Sequence, residues 1–600
     1  MSDTFVSLRN IRFLLYNVHD VETLVRYPRF EDHDRDTFDM VLDTAFRVAR
    51  ELLRPKLREM DQQPPEYVDG RVKVNPVVRE FMAECGEGGW IGAAAPLDLG
   101  GQQLPQSIIA ACVFTWAAAN YSASVYPMLT AGAAHLIESF GSAELQEQYL
   151  PRMYAGKWQG TMALTEPQAG SSLADIVTAA EPTNEGYFKV RGQKIFISAG
   201  DHDGVDNVVH LMLAKIKGAP AGVKGISLFV VPRMRPEGKD LAFNDVNTAG
   251  VFHKLGYRGC PITHLSFGEN EDCRAWLVGE PHKGLSYMFQ MMNNARIEVG
   301  LGAAAIASAA YYASLAYAQE RPQGRRLADK EPSQPQVPII EHADVKRMLL
   351  LQRAIVEGAV SLLLQCGRYS DLVEVTEGEE KGRYSLLLDL LTPIAKSYPS
   401  EMGIISVSQG LQILGGYGYC DEFPLEQFYR DMRIHPIHEG TTGIQGIDLL
   451  GRKVVIKDGA AFTLFVKEVT ETIRAASGVD SLRAYAERLE QATQILTRVT
   501  EQLVTLGRQG NRERFLADAT LYLELFGIVA IAWQWLKQGV AALKALAGKV
   551  SQEEAAFYAG KHATMQFFFH YELPKSEGLS RRLLEADGFT VQATLATFSD

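Results

Sequence analysis

Residues 187–198, YFKVRGQKIFIS, alternate with a period of two, as a half-buried strand does, in a chain whose remaining pattern is largely helical. Further short β-rich runs follow at 207–216 (NVVHLMLAKI), 225–232 (GISLFVVP) and 264–269 (HLSFGE). Asn184-Glu185-Gly186 and Asp201-His202-Asp203-Gly204 punctuate them, so a β-domain is predicted over 159–283. Outward toward the N-terminus, FDMVLDTAFRVARELLRPKL (38–57) repeats apolar residues every three or four positions. SIIAACVFTWAAANYSA (107–123) is apolar nearly all round, which predicts a helical domain over 35–158 with one deeply buried helix. The glycine- and proline-rich GGWIGAAAPLDLGGQQLP (88–105) reads as a loop between them. Outward toward the C-terminus, residues 301–320 and 345–366 predict a second helical domain over 284–458, ending near a glycine-rich turn at 415–418. The polar, proline-containing stretch 324–343 is expected to be an exposed connection. Long amphipathic segments at 481–507 and 514–543 predict a helical domain over 459–600, and residues 1–34 form an N-terminal extension. The fold class is mainly α with a central β-domain.

At 600 residues the chain exceeds one ordinary core, which predicts three or more packed units. With 46% hydrophobic, 22% charged and 9% aromatic residues, it has the composition of an ordinary globular protein. Sixty Lys and Arg against 72 Asp and Glu give a net charge of −12, which works against delocalised attraction to nucleic acid. The six cysteines, Cys85, Cys112, Cys260, Cys273, Cys366 and Cys420, form no C-x-x-C pair and are expected to be reduced thiols. The N-terminal residues carry no basic segment followed by a long apolar run, so a cytoplasmic protein is expected. The apolar run Leu525–Trp533 is short of the roughly 18–20 residues that span a bilayer, and it reads as a buried helix with no transmembrane segment expected.

Four stretches carry residues suited to chemistry. In TMALTEPQAGSS (161–172), Thr165, Gly170, Ser171 and Ser172 combine small hydroxyls with close backbone approach, as a polar heterocycle or phosphate needs; an ordinary proline-glycine turn accounts for the same residues. In KIFISAG (194–200), Phe196 and Ser198 share one strand face and suit the edge of a flat cofactor, or are plain half-buried strand surface. Gly415-Gly416 in QILGGYG (412–418) permits close backbone approach or stops a helix. In HPIHEGTTGIQ (435–445), Glu439 stands with few other acids around it; in a partly apolar pocket its pKa rises toward the range of a general base, whereas a loop glutamate is ordinarily solvated. His435 and His438 lack a third ligand, and no metal site is expected.

Together and in this order, TEPQAGSS, GQKIFIS, HKLGYRGCP, NNARIEVG, the Glu320-Arg321 pair, QILGGYGY and RDMRIHPIHEGTTGIQ resemble the acyl-CoA dehydrogenase family over most of 35–453. The N-terminal extension and long helical C-terminal part resemble the subgroup of this length that includes 3-methylmercaptopropionyl-CoA dehydrogenases. The resemblance implies an α-domain, a β-domain and a second α-domain around FAD, with an added C-terminal helical domain. It implies that Glu439 removes the α-proton of an acyl-CoA thioester while the β-hydrogen passes as hydride to flavin N5, giving a trans-2-enoyl-CoA. The developing enolate oxygen is stabilised in the family by the backbone N–H of the catalytic glutamate and a flavin ribityl hydroxyl.

The resemblance also implies that Met162, Leu164, Thr165, Ser171, Phe196 and Ser198 border the cofactor. By the same resemblance Arg321 reaches the FAD pyrophosphate across a homodimer interface, Gln412, Gly415 and Gly416 surround the adenosine moiety, and Thr441 and Gly443 complete the cofactor site. Ser171, Asn293, Asn294, Arg296 and Gly440 would contact the substrate. Electrons are expected to pass to electron-transferring flavoprotein, in fatty-acid β-oxidation. The alternatives are an acyl-CoA oxidase using O2, which shares the base and the flavin, and a catalytically idle assembly protein. The acyl chain is left open: short, medium, branched, thioether or ring-bearing.

Overall fold

Eight strands form the central sheet of this computed structural model, which describes residues 4–238, 240–328 and 331–599. They are β1 (Trp158–Ala163), β2 (Ala179–Pro182), β3 (Phe188–Ser198), β4 (Asn207–Ile216), β5 (Ile226–Pro232), β6 (Val246–Val251), β7 (Ile262–Phe267) and β8 (Arg274–Val278). The order is β6-β7-β3-β8-β5-β4-β1, with β2 pairing β3 and β4. β1 runs parallel to β4, from Trp158 opposite Asn207 to Ala163 opposite Met212, while β5 pairs β4 antiparallel. Both faces of β4 are buried: Val209, Leu211 and Leu213 pack with Tyr149, Met153 and Met288, while Met212 and Ala214 pack with Phe229, Val231 and Phe267. A strand covered on both faces reads as a continuous apolar run, which is how 207–213 appears in the sequence.

Two departures from the sequence expectation concern this sheet. KIFIS is not an uninterrupted alternation: Thr263 pairs Ile197 but Leu265 pairs Lys194, so β3 carries a bulge and its phase slips there. Lys194 is consequently buried, while Phe196, two residues on, points outward. Residues 158–163, where the sequence marks no β-rich run, form β1.

The chain divides into two units, residues 39–104 with 112–295, and residues 1–38 with 105–111 and 296–600. The first holds the sheet, and with it α1 (Arg35–Val48) from Asp39 onward, α2 (Val77–Glu87), most of α3 (Gln106–Phe140) and α4 (Ala143–Tyr154). α3 is buried nearly throughout, as its all-round apolarity predicts, but it kinks at Asn120, which leaves helical geometry and caps the next turn by accepting from the Ala123 N–H.

The second unit is helical. It takes α5 (Gly284–Glu320) from Arg296 onward, then α6 (Ala343–Val375), α7 (Gly378–Leu414), α8 (Leu425–Met432) and α9 (Thr442–Asp448). α10 (Ala460–Ser477), α11 (Arg483–Arg508), α12 (Ala519–Leu546), α13 (Gln552–Phe567) and α14 (Lys575–Glu585) complete it. The apolar run at 525–533 is only the middle of the 28-residue α12, so its length was underestimated from sequence. Among the described residues four helices, α3, α5, α6 and α12, are long and apolar enough to cross a membrane by length and composition, and 83–94% of each apolar window is buried inside the protein. α12 lies among its neighbours: Trp535 Nε1 donates to Ala354 O of α6 at 3.0 Å, and Gly358 leaves room for its ring. The N-terminal extension belongs to the same unit, with Ser308 Oγ donating to Phe5 O. The connection at 324–343 is largely exposed; its residues 329–330, and the first three of the extension, lie outside the described residues.

Candidate active site

In the sheet-bearing unit, the segment after β1 is fixed by a buried ion pair. Lys194 Nζ donates to Glu166 Oε1 at 2.8 Å and to Leu164 O at 2.9 Å, and both charged side chains are fully buried. Glu166 also accepts from the backbone N–H groups of Val177 (2.7 Å) and Thr178 (3.1 Å). Burial pushes the Glu166 carboxyl up, but Lys194 and these donors outweigh it and hold the group below the ordinary carboxylate range. The Ile195 N–H donates to Thr165 O at 2.9 Å, tying the loop to the β3 bulge.

Met162, Leu164 and Thr165 are thereby presented half-buried, with Ser171 exposed beyond them. Phe196 has φ +58°, unusual for an aromatic residue; its ring is 59% exposed and lies 4.8 Å from that of Phe252. Phe196 lies within the bulge and is exposed, whereas Ser198, two residues on and beyond it, pairs Ile262 and is half-buried. Asn293 is half-buried and Asn294 exposed on the part of α5 that belongs to this unit.

In the helical unit, α7 ends at Gly415, whose N–H donates to Gln412 O and whose backbone (φ +59°, ψ −136°) suits glycine alone. A Cβ at Gly415 or Gly416 would meet nothing within 4 Å, so this backbone faces open space. Gln412 and Arg321 are exposed.

The HPIHEG turn is held from two sides. Lys396 Nζ of α7 donates to His435 O at 2.6 Å, and buried Gln445 Nε2 donates to Glu439 O (3.1 Å) and Gly440 O (3.3 Å). Glu439 itself has φ +52°, a conformation that a non-glycine residue keeps only where its surroundings impose it. Gly440, at φ +87°, has no room for a Cβ, which would approach Gln445 Nε2 to 2.6 Å. Thr441 caps α9 by accepting from the Ile444 N–H at 3.3 Å, and Gly443 lies in its first turn. Gly446 of α9 lies against the backbone of Ala519, so α12 buttresses the helix that follows Glu439.

The half-buried Glu439 carboxylate makes no side-chain hydrogen bond, and its backbone N–H has no protein acceptor, among the described residues. Burial raises its pKa, opposed by Arg296 and then Lys396. Arg296, expected at the substrate, is buried and paired with Asp448 at 3.0 Å, and its charge opposes the rise of the Glu439 pKa. Burial lowers Lys396 to about 8, against the pull of Glu439 and Glu401. Burial likewise takes His435 down to about 3 and His438 well below its usual value, so both rings are neutral. Among the described residues no group of three or more His, Cys, Asp or Glu side chains could hold a metal ion.

Sequence reasoning missed Glu166, Lys194, Lys396 and Gln445. Lys396 did carry a signal, a lysine directly after the apolar residues of LLTPIA, which at a buried position demands a partner.

Four family models match in succession: the acyl-CoA dehydrogenase N-terminal domain over residues 35–157, the middle domain over 161–269, the C-terminal domain over 282–454, and an acetyl-CoA dehydrogenase C-terminal-like domain over 465–593. A butyryl-CoA dehydrogenase of Syntrophomonas wolfei is 34% identical over 605 residues, covering 97% of each chain. A 3-methylmercaptopropionyl-CoA dehydrogenase of Ruegeria pomeroyi is 34% identical over 98% of this chain and 99% of its own. The crystal structure of a Bacillus anthracis acyl-CoA dehydrogenase complexed with FAD has the same fold, with a TM-score of 0.74 at 20% identity over 96% of this chain and 92% of that one. A chain that carries these domains in this order and aligns almost end to end with such relatives belongs to the acyl-CoA dehydrogenase family and is an FAD-dependent oxidoreductase.

Proposed function

We propose that the protein dehydrogenates a short acyl-CoA thioester between Cα and Cβ, with Glu439 as the base that takes the α-proton. The observation that carries this reading is the Glu439 carboxylate, half-buried, raised in pKa and left without a hydrogen-bond partner on an imposed turn. Its backbone N–H, likewise without a protein acceptor, suits the thioester oxygen on which negative charge develops. Arg296 and Lys396 keep the carboxylate ionisable despite burial, and Gln445 fixes the turn that aims it. The relatives' substrates, butyryl-CoA and 3-methylmercaptopropionyl-CoA, support a short chain with or without a thioether.

The residues present fit FAD. The open backbone at Gly415 and Gly416 admits an extended dinucleotide, and the outward ring of Phe196 offers a surface for a flat heterocycle. On this reading Met162, Leu164, Thr165, Ser171, Phe196, Ser198, Arg321, Gln412, Gly415, Gly416, Thr441 and Gly443 contact the cofactor, and Ser171, Asn293, Asn294 and Gly440 the substrate. Bound FAD supplies a two-electron acceptor for the Cβ hydrogen as hydride. The electrons then pass to electron-transferring flavoprotein. We further propose a homodimer acting in the cytoplasm in β-oxidation, its long apolar helices packed within the protein; six unpaired cysteines suit a reducing compartment.

Anaerobic titration of the FAD-loaded protein with butyryl-CoA and 3-methylmercaptopropionyl-CoA, followed by flavin bleaching, tests the reading. Bleaching of wild type is expected, with a rate lowered about 10³-fold in Glu439→Gln, within the usual worth of a general base. Equal bleaching of both proteins would remove Glu439 from the role of base. Rapid O2 consumption by the reduced protein would favour an oxidase over electron-transferring flavoprotein.

A further inference from the structure

Glu439 stands at the midpoint of a loop with a closed neck. The chain enters the loop at Pro436 and leaves it at Thr442, where the Thr442 N–H donates to Pro436 O at 3.0 Å. α7 grips both legs of that neck. On the entering leg, buried Lys396 Nζ donates to His435 O at 2.6 Å. On the leaving leg, Thr442 Oγ1 donates to Glu401 Oε1 at 2.5 Å, the short length of a hydroxyl bonded to a carboxylate. Lys396 and Glu401 are about 7.5 Å apart along the helix axis at about 1.5 Å per residue, so the two grips are separate points on one helix. Glu401 is exposed and, among the described residues, makes no other hydrogen bond or ion pair. Neither burial nor a salt bridge accounts for a carboxylate at that place.

We infer that Glu401 is a positioning residue for the reaction: it accepts from Thr442 and so fixes the leaving leg of the loop whose apex carries Glu439. The inference rests on the proposed role of Glu439 as the base. Gln445 holds the apex carbonyls and Lys396 the entering leg. α9 is held further along, at Gly446 against Ala519 and at Asp448 by Arg296, so Glu401 is the contact that ties its first turn to α7. Without Glu401, the Thr442 N–H still closes the neck on itself, but the leaving leg loses its tie to the helix. A displacement of 1 Å at a reacting group can cost about a hundredfold in rate, and a backbone at φ +52° relaxes when its restraints loosen. Glu401 also attracts Lys396, so its charge and its hydrogen bond have to be separated.

The test is the limiting rate of anaerobic flavin reduction at saturating butyryl-CoA in the FAD-loaded protein, read with the substrate dissociation constant and the flavin-to-protein ratio. Glu401→Ala and Thr442→Val are each expected to lower the limiting rate about tenfold, with the dissociation constant and flavin content unchanged. Glu401→Gln keeps the accepting oxygen without the charge, and Thr442→Ser keeps the hydroxyl; both should recover most of the rate. Glu401→Ala combined with Thr442→Val should be about as slow as either alone, because both remove the same bond. An unchanged rate in Glu401→Ala overturns the inference, as does a double variant slowed by the product of the two losses. A Glu401→Gln as slow as Glu401→Ala overturns it too, by assigning the effect to charge at Lys396, and flavin content falling in step with the rate makes the contact merely structural. If butyryl-CoA bleaches no wild-type protein, the dehydrogenase reading fails with this probe, and amide hydrogen exchange still tests the tie. Exchange over residues 436–445 should quicken about tenfold in Glu401→Ala and stay at the wild-type rate in Glu401→Gln; equal exchange in all three proteins overturns the inference.

Discussion

Lys194 and Glu166 beneath the segment after β1, and Glu439 in the helical unit, are all ionisable side chains withdrawn from water, yet the protein treats them oppositely. The first pair is fully buried and saturated, with Lys194 bonded to a carboxylate and a carbonyl, and Glu166 to the ammonium, two backbone amides and the Gln168 side-chain amide. A third cluster behaves the same way: buried Lys561 donates to Asn10, Glu357 and Gln538. Glu439 has no hydrogen-bond donor at all among the described residues. Saturated buried charges act as scaffold, since every lone pair is engaged and nothing is left to react. A carboxylate withdrawn from water but left unbonded retains its basicity, and it persists only because function compensates for its cost.

The largest effect should come from breaking the saturated pair. Lys194→Met would leave Glu166 in the interior with the Val177 and Thr178 amides and the Gln168 side chain as its donors, and removal of one partner of such a pair costs about 3–5 kcal/mol. The midpoint of chemical unfolding should fall accordingly; a loss near zero would mean that water reaches Glu166 and that the contrast with Glu439 is false. Next, Gln445→Leu removes the donor that holds the carbonyls of Glu439 and Gly440, leaving a φ of +52° unsupported. A misplaced base predicts a flavin-reduction rate lowered about 10–100-fold with FAD still bound. Loss of FAD in step with the rate would instead make Gln445 a structural residue of the unit.

Glu439→Gln should do to stability the reverse of Lys194→Met. The folded pKa of Glu439 is raised, so wild type loses stability as pH climbs from the ordinary carboxyl value through the raised one. The amide does not pay that cost, and the variant should be more stable at pH 8 by roughly 0.5–2 kcal/mol, with the gain vanishing near pH 4. Thermal melts at both pH values check it, and a destabilised variant would show that Arg296 and Lys396 depend on that charge.

The same contrast explains what could be read in the sequence. The mainly helical fold around a β-domain was legible because period-two and period-3.6 patterns change sharply near 159 and 284. Strands β1, β2, β6 and β8 were not, because segments such as WQGTMA and VNTAGV are short and lack alternation; only pairing to neighbours defines them. Glu439 was legible as a lone acid among glycines and threonines, with a motif order to match. Lys194 is hidden by the bulge, which turns an apparently outward strand position inward.

The smallest expected effect asks whether open backbone belongs with open carboxylates as a mark of ligand contact. Gly415 and Gly416 both face empty space, but Gly415 alone has a positive φ, and its ψ of −136° takes it outside even the left-handed helical region. Gly415→Ala therefore adds strain of about 1 kcal/mol or more whether or not anything binds there, whereas Gly416→Ala adds a methyl group without that penalty. If FAD lies along this backbone, both variants should retain it less well, by about fivefold, read as the ratio of flavin to protein absorbance after gel filtration. If Gly415→Ala alone loses FAD, the glycine serves only to end α7, and unfilled space ceases to be a guide to the cofactor in the way that an unbonded carboxylate is a guide to the base.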